Sequence, residues 1–172
     1  MKNYRYLSIA ALIALSSCGA SKQSAQSAST DSTTLEAKND SNTTALVVKM
    51  NMPETVKVGD SVLLKFTVVN VSDTSSRFCK WHSPFEPLMS KYLDVKNEKG
   101  EEPAYLGAMA KRMMPPPESS YLTVSPKDSV VATVDLLKAY AIKEPGKYTI
   151  TYVGENMSGL KVSKDVTFNY VK

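Results

Sequence analysis

The side chains able to do chemistry are few in this 172-residue chain: one histidine, His82, and two cysteines, Cys18 and Cys79. Zinc sites use three or four His, Cys, Asp or Glu ligands, and their familiar motifs need paired histidines or several thiolates. His82 therefore reads as a surface or edge residue. Cys79, alternating with Arg77 and Trp81, reads as a small buried apolar residue on one face of a strand. No Ser-His-Asp set can be assembled from His82 and the scattered serines. Glu101, Glu102 and Glu118 read as a solvated face, because paired carboxylates serve acid-base work only where their surroundings split their pKa values. The expectation is a chain that is not an enzyme and carries no cofactor and no metal.

Cys18 has a different chemistry. Lys2 and Arg5 precede an apolar stretch, Leu7 to Leu15, too short to span a bilayer, the pattern of an export signal over residues 1–17. It ends in Leu15-Ser16-Ser17-Cys18-Gly19, which resembles a bacterial lipobox, where the cysteine is acylated on sulfur and becomes the first residue. Each buried acyl methylene adds about 0.8 kcal/mol, so two or more chains anchor stably. The expected location is the cell envelope, lipid-anchored to the outer membrane and facing the periplasm, since no acidic cluster follows Cys18. Removing Lys2 and Arg5 leaves 19 basic against 17 acidic residues, which is no nucleic-acid footprint. Residues 18–44 are dominated by Ser, Thr, Ala, Gln, Asn and Asp, with Leu35 the only large apolar side chain, so they read as a tether. Its reach is on the order of 25 to 30 Å.

From Ala45 the apolar residues recur with period two, and breaks fall at Gly, Pro, Asn and Asp. Val62, Leu64, Phe66 and Val68 alternate with Leu63, Lys65, Thr67 and Val69 in the clearest strand. Further strands are expected at Ala45 to Met52, Ser76 to Trp81, Tyr92 to Lys96, Pro103 to Tyr105, Tyr121 to Val124, Ser129 to Leu136, Lys147 to Val153 and Asp165 to Val171. About eight short strands over residues 45–172 give an all-β fold class, an immunoglobulin-like antiparallel β-sandwich. Pro145-Gly146-Lys147-Tyr148 places a tyrosine early in a strand, as in the tyrosine corner of such domains. Trp81 is expected to cover one end of the core.

Three stretches carry a family resemblance: Trp81-His82-Ser83-Pro84-Phe85-Glu86, Tyr105-Leu106-Gly107-Ala108-Met109-Ala110-Lys111-Arg112, and Asp135-Leu136-Leu137-Lys138-Ala139-Tyr140. Followed by Pro145 to Tyr152, their order and spacing resemble the amino-terminal pro-domain of the deuterolysin and peptidyl-Lys metalloendopeptidase (aspzincin) family, over roughly residues 46–153. In that family a catalytic domain with H-E-x-x-H follows, and the pro-domain keeps it latent. No such motif occurs before Lys172, so the resemblance implies the accessory fold without the metal ligands, and a binding or inhibitory role toward a secreted zinc metalloendopeptidase.

On that basis Tyr105, Met109, Lys111, Arg112, Met113 and Met114 are the partner-binding candidates, in a loop that runs on to Pro115, Pro116 and Pro117. Family proteases favour a basic residue after the scissile bond, so Lys111 or Arg112 would act as pocket anchor. The methionines would add adaptable apolar contact, and the prolines would limit the loop's conformations. The competing reading makes Lys111 and Arg112 a solvated pair, or has Arg112 pair with Glu101, Glu102 or Glu118, and puts the methionines in the core. At the level of function, the alternative is an accessory envelope lipoprotein that binds another protein or a glycan without affecting proteolysis.

Overall fold

The alternation at Leu64, Phe66 and Val68 is realised: all three are completely buried, while Leu63 before them and Lys65 between them are exposed and Thr67 is half-buried. A computed structural model describes residues 45–172, so the signal, Cys18 and the tether lie outside the described residues. Nine strands follow in order: β1 (Leu46–Asn51), β2 (Thr55–Lys57), β3 (Leu63–Asn70), β4 (Ser76–Cys79), β5 (Leu93–Asn97), β6 (Tyr121–Val124), β7 (Ser129–Asp135), β8 (Gly146–Tyr152) and β9 (Val166–Val171). Two one-turn α-helices, α1 (Leu136–Ala139) after β7 and α2 (Glu155–Ser158) after β8, and a 3₁₀ turn at Glu118–Ser120 before β6 interrupt them.

The strands form a three-stranded sheet ordered β1-β3-β7, a four-stranded sheet ordered β2-β9-β8-β5, and a β4-β6 pair. Inward side chains of the two larger sheets, among them Phe66, Val95, Ile150 and Phe168, belong to one apolar core. This is an all-β sandwich of immunoglobulin-like character. The tyrosine corner is present: the Tyr148 hydroxyl donates to the carbonyl of Glu144 at 2.7 Å, and Ile150, two residues on, is fully buried.

Several details depart from the sequence reading. β2 is an additional strand, and it runs parallel to β9, the one parallel pairing in an otherwise antiparallel set of strands. The strand expected to reach Trp81 stops at Cys79, because residues 81–86 turn sharply, with His82 at φ +55°. Pro103 to Tyr105 contributes only a single bridge, Tyr105 to Tyr140. The apolar run thought to carry β7 to Leu136 ends at Asp135, whose carboxylate accepts from the Leu137 N–H at 3.2 Å and starts α1.

Candidate functional site

The backbone of residues 104–110 is stitched to two neighbouring segments. The Leu106 N–H donates to Ala139 O at 2.8 Å, and the Ala141 N–H donates to Ala104 O at 2.9 Å. On the other side the Ala108 N–H donates to Leu88 O at 2.8 Å, and the Ala110 N–H donates to Met89 O at 2.7 Å. Gly107 makes this close approach possible: a Cβ there would run into the Tyr105 ring and sit 2.8 Å from Leu88 O. Tyr105 is half-buried, its hydroxyl donating to Ser90 O at 2.9 Å and its ring 5.5 Å from that of Tyr140. Burial, with the Glu86 charge second, holds the Tyr105 phenol above its ordinary pKa.

Beyond Ala110 the chain is pinned by one side chain. Arg112 reaches inward, its Nη2 2.5 Å from Glu86 Oε2 and its guanidinium 4.7 Å from the centre of the Trp81 ring. The two ion-pair side chains are only 17% and 9% exposed. Glu86 is a hub, because its Oε1 also accepts from the His82 N–H and the Ser90 hydroxyl, both at 2.9 Å. Of the three donors on this carboxylate, Arg112 ties the loop to the 81–90 turn, and the other two brace the turn itself. That turn is itself seated on β8, where the Tyr152 hydroxyl donates to His82 O at 2.9 Å. A Cβ at Gly154 would overlap that carbonyl and lie 2.7 Å from the Tyr152 hydroxyl oxygen.

The three stretches singled out in the sequence therefore converge on one task. Trp81 and Glu86 from the first hold Arg112 from the second. The third supplies Tyr140, whose buried hydroxyl donates to Leu93 O and whose ring supports Tyr105. Arg112 pairs with Glu86 and with none of Glu101, Glu102 or Glu118. Glu118 is taken by Arg77, Glu102 by Lys91, and Glu101 accepts from the Asn97 side chain.

With Arg112 turned inward, the side chains beside it turn out. Lys111 is exposed, and Met109, Met113 and Met114 are 72%, 85% and 65% exposed. Leu106 and Met89, which sequence reasoning passed over, join them as exposed apolar residues, with Met89 held beside Ala110 by the backbone bond above. The Glu86–Trp81 clamp was also missed; its only signal was that Glu86 closes the Trp-x-x-Pro-Phe-Glu stretch. The arrangement offers adaptable apolar contact around one cation.

Cys79 is buried and free, and burial pushes its thiol pKa up, so it is a poor nucleophile. His82 contributes its backbone groups to the turn. Among the described residues no cluster of three His, Cys, Asp or Glu is placed to hold a metal ion.

No protein-family model matches the chain. A neutral protease 2 homolog from Arthroderma gypseum is 27% identical over 95 residues, which is 55% of this chain and 26% of that protein. The chain thus spans about a quarter of the length of the curated relative it matches. Among solved structures, a β-glucosidase from Listeria innocua in complex with isofagomine superposes with TM-score 0.39 at 10% identity, covering 74% of this chain and 16% of that one. The alkylpurine DNA glycosylase AlkC from Pseudomonas fluorescens gives TM-score 0.38 at 8% identity, with 74% and 31% covered. The CARDB domain of PF1109 from Pyrococcus furiosus gives 0.35 at 14% identity, with 74% and 94% covered. Likenesses at this level say nothing of what the chain binds.

Proposed function

We propose that this chain is a lipid-anchored protein-binding module of the cell envelope whose 105–117 loop docks onto a zinc metalloendopeptidase and blocks its cleft. The observation that carries this reading is the exposure of Met109, Met113 and Met114 around Lys111 on a loop held by backbone bonds and by the Arg112–Glu86 clamp. Large apolar side chains on a soluble surface mark interaction sites when they are grouped. Methionine suits them to a partner of imprecise shape. A loop already fixed in the free protein loses less conformational freedom on binding. Lys111 is the cation such a loop presents, while Arg112 is spent on holding it. The choice of partner rests on the likeness to a neutral protease 2 homolog and on the resemblance of the three stretches, in their order, to protease pro-domains. Cys18 supplies the anchor in this reading.

A second reading is favoured by the small share of that relative which the chain spans, 26%. Here the same loop binds another envelope protein, and proteolysis is unaffected. Titrating the purified chain into a neutral protease 2-type zinc endopeptidase while following peptide cleavage separates the two. Saturable slowing, weakened by Lys111→Ala, is expected from the first; an unchanged rate at micromolar chain rejects it.

A further inference from the structure

We propose that the outward face of the β1-β3-β7 sheet is a contact surface for an anionic lipid bilayer, which rests on the anchored reading above. Along β1 and β3 the outward positions place Val47 opposite Val69 and Lys49 opposite Thr67, whose partner on β7 is Val131. Val47 and Val131 are 39% and 49% exposed, and Lys49 and Lys65 stand beside them in water. A groove of about 720 Å³ runs along this face between β1, β3 and residues 162–164, which are tied to the sheet by the Val48–Val162 bridge. Its lining includes Lys49, Lys65 and Lys164 and no acidic residue. An adjoining cleft on the far side of that strap shares Val47, Val48 and Ser163 and adds Lys161 and Glu155. None of the four lysines is engaged in an ion pair among the described residues.

Apolar side chains flanked along β1, β3 and the 161–164 strap by lysines without ion pairs, with Asp135 at the far end of β7 the acidic residue on the same register, match the interface of a bilayer with acidic headgroups, where the chains enter the headgroup layer and the ammonium groups remain among the phosphates. The position of the tether argues for the same occupant. The described chain opens at Ala45, whose carbonyl accepts from the Val71 N–H, directly before β1 on this very sheet. In that reading the anchor, joined through residues 18–44, enters the domain at an end of this sheet. The 105–117 loop is reached from the other end of β3, through Leu63 paired with Asp135 and then α1 and the Tyr140–Tyr105 bridge. Eight residues of strand separate those ends by about 24 Å. The loop thus lies toward the end of the sheet opposite the one the tether enters.

The test uses the chain from position 18 onward carrying Cys18→Ser, so that neither an acyl group nor the export signal contributes, sedimented at low salt with vesicles of phosphatidylcholine alone or mixed with phosphatidylglycerol. Binding to the mixed vesicles and not to the neutral ones is expected. With each lysine near an anionic surface contributing about a fivefold factor, Lys49→Glu, Lys65→Glu and Lys164→Glu together weaken it by on the order of 100-fold or more. The control Lys96→Glu, Lys99→Glu and Lys147→Glu carries the same charge change on the other sheet and the turn after β5 and is expected to bind nearly as the parent does. No binding to either vesicle, equal binding to both, or equal losses in the two triple variants would overturn the proposal. Palmitate incorporation at Cys18, measured on the unsubstituted chain, tests the anchor separately. A chain that takes no palmitate yet partitions onto anionic vesicles through these lysines loses the anchor and keeps the face.

Discussion

Replacing Arg112 by alanine should destabilise the domain far more than replacing its neighbour Lys111, although the two read alike in sequence. Exposed ion pairs contribute about 0 to 1 kcal/mol, whereas removing one partner of a buried pair costs about 3 to 5 kcal/mol. At 17% and 9% exposure the Arg112–Glu86 pair lies toward the buried end, and stacking on Trp81 adds a smaller share. Arg112→Ala is therefore expected to cost about 2 to 3 kcal/mol, a fall in Tm of roughly 6 to 12 °C for a domain of this size. Glu86→Ala should cost somewhat more, about 3 to 4 kcal/mol, because the His82 N–H and the Ser90 hydroxyl lose their acceptor as well. Lys111→Ala, in water, stays within about 0.5 kcal/mol of wild type. Urea unfolding followed by the fluorescence of Trp81, the single tryptophan, reads all three, since that ring lies under the guanidinium. In the double variant the two losses should fall short of additivity by about 1.5 kcal/mol or more. An Arg112→Ala chain as stable as wild type, or strictly additive losses, would refute the clamp.

Tyr148→Phe removes the corner bond to Glu144 O and should cost about 1 kcal/mol in a thermal melt, with an unchanged Tm counting against the corner. Tyr92, Tyr140 and Tyr152 are held well above the ordinary phenol range, chiefly by burial. Above pH 10 the unfolded chain releases these protons while the folded chain keeps them. The unfolding free energy from urea titrations should thus hold steady toward pH 9 and then fall, by on the order of 1 kcal/mol per pH unit per tyrosine; a value at pH 11 equal to that at pH 8 contradicts this. In a Cys18→Ser chain Cys79 should resist a thiol-reactive disulfide at pH 8 until urea unfolds the domain, and rapid reaction of the folded chain would show that the thiol is accessible.

What the sequence made legible is what depends on local period. β3 stands out because one face is wholly buried over four successive inward positions, Leu64 to Asn70. β2 escaped notice because it is three residues long with one inward side chain, Val56, too short for a period to register. The helix α1 was hidden by Leu136 and Leu137, which prolong the apolar run of β7, and Asp135 as its N-cap was the overlooked signal. Tyr148 was legible from its place after Pro145-Gly146, since the corner is a local geometry. The partner of Arg112 was not, because Glu86 lies 26 residues upstream and nothing in spacing ranks it above the nearer Glu101, Glu102 and Glu118. Nor does composition tell that Met113 faces water, as methionine more often fills a core. Only the inward turn of Arg112 shows which way its neighbours point.

Under the proposed function the exposed methionines beside Lys111, and not the sandwich as a whole, would make the contact with a zinc endopeptidase. Equilibrium binding of the chain to a neutral protease 2-type enzyme, measured for wild type and for Met109→Ser, Met113→Ser and Met114→Ser combined, puts it to the test. These positions are 72%, 85% and 65% exposed, so the triple variant should melt with wild type while its affinity falls at least tenfold. A triple variant that binds as tightly as wild type, or a wild-type chain that does not bind at all, would contradict it.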